Sequence, residues 1–255
     1  MLEQAIVSVM SQTVTDWECI VVDDASPIPA TIPADPRITL VRHETNRGVS
    51  AAFNSGLDTA SGEFVAFLAD DDLLSPDRLQ IALDGLAKAP ISICGFSYEM
   101  SHKKGEPAVS VVSLADLGRK GRFASMGATS LRRELALRLD PALRAGEDAD
   151  WWIRMTLASP DIWVAIDDRI GYVVGRHDGP RYQMGHAERM RSRLDLLERY
   201  PSYFAQNPKA AAYTWKRIGL KAQLLHDKPL ARTAFLKSMR LSPSPRTLAH
   251  LVRSL

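Results

Sequence analysis
Apolar positions in the first hundred residues follow two alternating rhythms. Leu2, Ala5, Ile6 and Val9 recur at helical spacing and predict a helix over Met1–Ser11. Trp17–Val22 then reads as a strand, ending in Asp23-Asp24-Ala25-Ser26. Prolines at 27, 29, 33 and 36 exclude regular structure between Ser26 and Pro36, leaving a loop. Ile38–Val41 reads as a short strand, Asn46-Arg47-Gly48 as a turn, and Val49–Thr59 as a helix stopped by Ala60-Ser61-Gly62. Phe64–Ala69 has the unbroken apolar character of a strand buried in a parallel sheet, and it ends in Asp70-Asp71-Asp72. Pro76–Lys88 is expected to be helical and Ile91–Tyr98 extended. Strand and helix in alternation imply an α/β sheet.

The pattern changes after about residue 100. Val109–Val112 is expected to pair with the preceding strand, and Ala149–Leu157 to form a helix behind Glu147-Asp148. Ile162–Ile166 and Ile170–Val174 read as two short strands. Everything beyond Gly185 looks helical, with Ala211–Leu225 and Pro229–Leu241 forming a hairpin. The expected organisation is a domain over 1–185, with parts 1–100 and 101–185, followed by a helical extension over 186–255.

Composition narrows this little. The chain has 255 residues, 45% hydrophobic and 24% charged, as a globular protein does, and no run approaches the roughly 20 apolar residues that span a bilayer. Its start lacks the basic and apolar regions of a signal peptide, and Cys19 and Cys94 read as buried thiols of a reducing, cytoplasmic setting. The net charge is only +2, yet from Lys209 onward ten Lys and Arg residues face Asp227 alone. These basic helices suit peripheral contact with an anionic membrane, or are simply a solvated face.

The aspartate triplet carries the chemistry. Open α/β sheets bind ligands beyond the carboxyl ends of their strands. Carboxylates crowded there repel one another unless a cation sits among them, and Mg²⁺ or Mn²⁺ would tie them to a phosphate. The competing reading is a helix start, since Asp72, Ser75, Pro76 and Asp77 make a good cap.

In order along the chain stand Ser8-Val9-Met10-Ser11-Gln12-Thr13, Glu18 to Ser26, Asn46 to Gly56, Ala60 to Phe64, Asp70 to Leu79, and Gly146-Glu147-Asp148-Ala149-Asp150-Trp151-Trp152-Ile153-Arg154. This succession over about residues 1–180 resembles the inverting family 2 glycosyltransferases. The resemblance implies the GT-A nucleotide-sugar-binding fold, with a mostly parallel central sheet flanked by helices. It implies transfer of a sugar from a UDP- or dTDP-sugar to a saccharide or glycolipid acceptor, with Mn²⁺ or Mg²⁺ as cofactor and no nucleic-acid partner. Asp24, with Asp23, Asn46 and Asp70, is then expected to bind the nucleotide sugar. Asp71, with Asp70 and Asp72, is expected to bind the metal, joined by His177 from Arg176-His177-Asp178-Gly179. Asp148 is expected to be the catalytic base, with Glu147 its competitor, although acids at a helix start also serve as caps. Trp151 and Trp152 offer an acceptor platform or a core, and Arg154 is expected to pair with an acid of the site. His43 and the remaining histidines show no ligand spacing. Acceptor recognition is expected around Gly121–Arg144.

One piece of the pattern is absent. The family's usual first strand and its Pro-Thr-Tyr-Asn-like loop have no counterpart, because Met1 already lies in the helix that should follow them. That strand belongs between the Cys19 and Phe64 strands, and its loss would leave two rows of backbone groups without partners. Two function classes follow: a metal-dependent glycosyltransferase whose start was assigned late, or a truncated, non-catalytic binding or scaffold protein. A phosphohydrolase fits less well, since neither acidic cluster has the required Asp and Thr spacing.

Overall fold
The computed structural model describes residues 1–98, 109–119, 124–143, 146–175 and 185–254. Contacts group them into two units. The first comprises Met1–Ser113, Ala124–Pro141 and Asp161–Gly179, and the second Leu114–Phe123, Ala142–Pro160 and Pro180–Leu255. The expected boundary at 185/186 is therefore replaced by an interleaved division. The cause is the helix after Glu147, whose Ile153 is fully buried against Leu196, Tyr203, Phe204 and Ala210.

In the first unit, α1 is Leu2–Met10, β1 Cys19–Asp23, β2 Ile38–Arg42, α2 Val49–Thr59, β3 Phe64–Ala66 and β4 Leu73–Leu74. They are followed by α3 Arg78–Leu86, β5 Ile91–Ser97, β6 Val109–Ser113, β7 Thr129–Arg132 and β8 Trp163–Val173. β1 and β2 form a parallel two-stranded sheet. The other six strands make a second sheet in the order β3-β7-β5-β8-β4, with β6 also on β8.

The α/β architecture is as expected, but this larger sheet is mixed rather than mostly parallel. Only β5–β8 pair parallel, because β7 returns between β3 and β5 and runs against both. β3 is correspondingly shorter than the apolar run, and its partner β7 is antiparallel. β6 pairs with β8, not with the preceding β5. β8 itself is continuous where two strands were expected. Its interruption, Asp167-Asp168-Arg169, is absorbed as an irregularity opposite Gly95, with Asp167 bonded to the Arg169 amide and guanidinium. The core joins Val9, Leu74, Ile81, Cys94, Ala128 and Tyr172, so α1, β4, α3, β5 and β8 hold one another in place.

A cavity of about 770 Å³ separates β1 from β3. Consecutive residues line it on both sides, Glu18–Asp23 and Phe64–Asp70, together with Val9, Ala52, Phe53 and Ala82 of the surrounding helices. Successive side chains of a strand point to opposite faces, so an unbroken lining means that the cavity meets two strand edges. Hydrogen-bond parity agrees. The Cys19 amide and the Asp23 carbonyl face the β2 side, which turns the Ile20 and Val22 amides away from it. Glu63 accepts from Arg133, and the register then directs Val65 to β7 and the Phe64 and Ala66 amides to the cavity. In native-state hydrogen exchange, Ile20, Val22, Phe64 and Ala66 should exchange faster than Val21 and Val65 by about two orders of magnitude. Equal protection across these six amides would contradict two open edges.

In the second unit, α4 is Leu114–Arg119, α5 Glu147–Ala158, α6 His186–Arg199, α7 Pro201–Gln206, α8 Pro208–Leu224, α9 Lys228–Leu241 and α10 Pro245–Arg253. α8 and α9 form the expected hairpin. Asp227 caps α9 by accepting from the Leu230 amide at 3.0 Å, and Phe235 is fully buried with Ala222 and Ala231. Among the described residues, no helix is long and apolar enough to cross a membrane.

Candidate nucleotide-sugar site
The carboxyl ends of β1 and β3 present two acidic clusters in different states. At the end of β1, Asp23 is buried and accepts from the Ser26 amide at 2.8 Å, the Ala30 amide at 2.9 Å and the Arg42 guanidinium. Burial opposes its charge, but these bonds and Arg42 outweigh it and lower its pKa to about 2. Asp23 thus fastens the proline-containing loop. A carboxyl depressed in the folded state stabilises fully above its unfolded value, near 4, and loses that effect as pH falls toward 2. Asp23→Asn should therefore lower the melting temperature at neutral pH, with the gap to wild type closing as pH falls from about 4 toward 2. A gap independent of pH would refute this account.

Asp24 organises the start of α2. It accepts from His43 Nδ1 at 2.6 Å, from the Arg47 amide at 2.9 Å and from the Gly48 amide at 2.7 Å. Burial raises its pKa, yet the bonds from His43, Arg47 and Gly48 hold it below the ordinary value. Gly48 has φ 87°, a left-handed conformation that glycine adopts without strain. The Asn46 side chain donates to the Asp24 carbonyl at 3.1 Å. His43 is the residue that sequence reasoning passed over: it is buried, and its Nε2 reaches Ser55 Oγ at 2.8 Å. Its partner Asp24 lies 19 residues earlier in the chain, so no local spacing signals the pair.

At the end of β3 the triplet divides. The Asp72 amide bonds to the Ala69 carbonyl at 3.2 Å, closing a turn. Asp72 is buried, and its carboxylate accepts from the Tyr172 hydroxyl and, at 2.8 Å, from the Gly175 amide. Burial, reinforced by Asp72, raises the Tyr172 hydroxyl far above its ordinary pKa, so it stays a donor. A Cβ on Gly175 would lie 1.7 Å from the Asp71 carbonyl oxygen, so only glycine allows this approach. The chain beyond the turn is fixed by α1 and Gln12. Ser8 Oγ accepts from the Leu74 amide at 3.1 Å, while Gln12 donates to the Ser75 carbonyl at 2.7 Å and accepts from the Leu79 amide at 2.9 Å. Asp70 is left exposed and Asp71 half-buried on an anchored turn. Asp70 also lines the cavity between β1 and β3, as does Asp23.

Two adjacent carboxylates suit Mg²⁺ or Mn²⁺, which commonly take one or two from a protein and the rest from phosphates and water. Among the described residues there is no group of three or more His, Cys, Asp or Glu placed to hold a metal by itself. His177 lies outside the described residues, as does part of the Gly121–Arg144 stretch.

In the second unit, Glu147 and Asp148 are both half-buried in the first turn of α5. Glu147 Oε2 is buried without a hydrogen-bond partner among the described residues. Asp150 is fully buried, bonded to Arg154 Nε at 2.7 Å and to the Tyr200 hydroxyl at 2.5 Å. Arg154 thus pairs with an acid, but with a structural one. Trp151 and Trp152 have no exposed surface and pack edge to face, so they are core and cannot form a platform.

The fold matches that of solved structures, and the sequence is similar to that of known glycosyltransferases. Residues 1–120, just under half of the chain, match the family described as glycosyl transferase family 2. It is 32% identical over 170 residues to the succinoglycan biosynthesis protein ExoO of Rhizobium meliloti (strain 1021), covering 57% of this chain and 49% of that one. It is 34% identical over 103 residues to the UDP-Glc:alpha-D-GlcNAc-diphosphoundecaprenol beta-1,3-glucosyltransferase WfgD of Escherichia coli, covering 39% of this chain and 41% of that one. The chain thus spans about half or less of the length of these curated relatives. Among solved structures, S. aureus TarS 1–349 in complex with UDP-GlcNAc superposes with a TM-score of 0.64 at 17% identity, over 98% of this chain and 80% of that one.

Proposed function
We propose that this chain transfers a sugar, with inversion, from a UDP- or dTDP-sugar to a saccharide or lipid-linked acceptor in surface polysaccharide synthesis. The observation that carries this reading is the Asp70-Asp71 pair, displayed on a turn anchored by Asp72 within a family 2 domain. Asp70 and Asp71 would hold Mn²⁺ or Mg²⁺, which when bound offsets the charge of the diphosphate. Asp24 and Asn46 order the backbone beside the nucleotide. Asp148 takes the proton from the acceptor hydroxyl as its oxygen bonds to the sugar carbon, and the nucleoside diphosphate leaves from the opposite face. Glu147 is the alternative base. The setting is the cytoplasmic face of a membrane, approached through the basic helices.

A second reading has support of its own. The open edges of β1 and β3 border Asp23 and Asp70, and a binding protein without turnover would tolerate them. Calorimetry of wild-type protein with UDP, dTDP and their sugar conjugates, with and without Mn²⁺, tests both readings. Metal-dependent binding with release of free nucleotide in the presence of acceptor supports transfer. Binding without release supports the second reading, and absence of binding defeats both.

A further inference from the structure
Away from the acidic clusters, the second unit gathers like charges that nothing among its described residues balances. Arg189 and Arg193 lie one turn apart on α6, as do Arg217 and Lys221 on α8, and the two helices pack together. Residues at this spacing share a helix face. The two faces meet, since Lys221 Nζ lies 3.3 Å from Nδ1 of His186, one turn before Arg189. Arg193 and Arg217 are half-buried, and Arg217 Nε is buried with no hydrogen-bond partner among the described residues. Among the described residues, Arg193 donates to the Arg189 carbonyl at 3.0 Å. Burial, then Arg217, lowers the Arg193 guanidinium from its ordinary pKa, and burial followed by Arg189, Arg217 and Arg193 does the same to Lys221. Mutual repulsion at a half-buried place is a cost that an anion would remove.

We propose that this α6–α8 face binds a phosphate-bearing anion, gripped by Arg193 and Arg217 with Arg189 and Lys221 beside them. Two guanidiniums present planar forks matched to phosphate oxygens, and the lysine adds a point charge. A carboxylate ligand would use fewer of these donors than a phosphate with three free oxygens. The ligand is therefore a phosphomonoester or diphosphate, free in solution or at the head of a lipid. The inference does not depend on the transferase reading, because it concerns neither acidic cluster.

The test titrates the full chain with inorganic pyrophosphate in EDTA at fixed ionic strength, which removes any divalent-metal contribution from Asp70 and Asp71. A second arm measures binding to phosphatidylcholine vesicles with and without phosphatidic acid. R193Q/R217Q should weaken the productive arm by roughly tenfold or more, as loss of charge-assisted bonds does. R189Q/K221Q alters more exposed side chains and should weaken the same arm, which guards against a folding defect in the first pair. Loss confined to pyrophosphate identifies a soluble ligand, and loss confined to phosphatidic acid a lipid. Wild-type protein that binds neither, or variants that bind as wild type does, would overturn the proposal.

Discussion

Asp148→Asn should lower kcat for sugar transfer by about 10²–10⁴ while leaving the affinity for the nucleotide diphosphate unchanged. That range is what loss of a general base costs. Asn keeps the shape of the side chain and its place in the first turn of α5, so only the basicity is removed. The measurement must separate this from a capping role. A carboxylate near a helix start is worth about 0.3–1 kcal/mol through the helix dipole, whichever reaction the protein performs. A purely structural Asp148 would therefore show a small fall in melting temperature and full turnover. Glu147→Gln is the necessary companion. Its Oε2 is buried without a partner among the described residues, which makes it the other group able to receive a proton. Full turnover in Asp148→Asn with lost turnover in Glu147→Gln would transfer the role to Glu147. Asp150, by contrast, is committed to Arg154 and Tyr200, and its loss would be felt as instability.

What could be read in the residues, and what could not, divides by distance along the chain. The limits of α2 follow from the turn at Asn46-Arg47-Gly48 and from Ala60-Ser61-Gly62, and the helix runs over Val49–Thr59 as expected. The aspartate turn at the end of an apolar strand was equally legible, since strand and turn are contiguous. Asp72 was not. It looks like its neighbours until Tyr172, a hundred positions later, brings a hydroxyl to its carboxylate. The same applies to His43, whose partner Asp24 lies 19 positions earlier, just beyond β1, and to α5, drawn into the helical unit by Leu196 and Phe204. β8 defied its own sequence, because Asp167-Asp168-Arg169 has the composition of a turn. Arg169 bonds both Asp167 and Asp84, which satisfies those charges and lets the strand continue. Between β1 and β3, where the resemblance places one more strand, the described residues enclose a cavity edged by strand backbone.

Asp71→Ala should weaken Mn²⁺-dependent nucleotide-diphosphate binding by about hundredfold or more, with a melting temperature close to wild type. Even residues that only support metal ligands cost 10- to 100-fold when removed, so loss of a ligand falls at or beyond the top of that range. The contrast with Asp72→Ala gives this its force. Asp72 holds the Tyr172 hydroxyl and the Gly175 amide, so its removal leaves a buried donor pair unsatisfied, at about 1–3 kcal/mol for each group. Asp72→Ala should thus lose stability first and binding as a consequence, in metal-free as well as metal-containing buffer. Asp71 stands on the turn that Asp72 anchors and is half-buried, so Asp71→Ala should change binding only when Mn²⁺ is present. If Asp71→Ala binds nucleotide as tightly as wild type in Mn²⁺, the Asp70-Asp71 pair does not hold the metal. The anchored turn would then be what it is in Asp72 alone, a structural corner between β3 and β4.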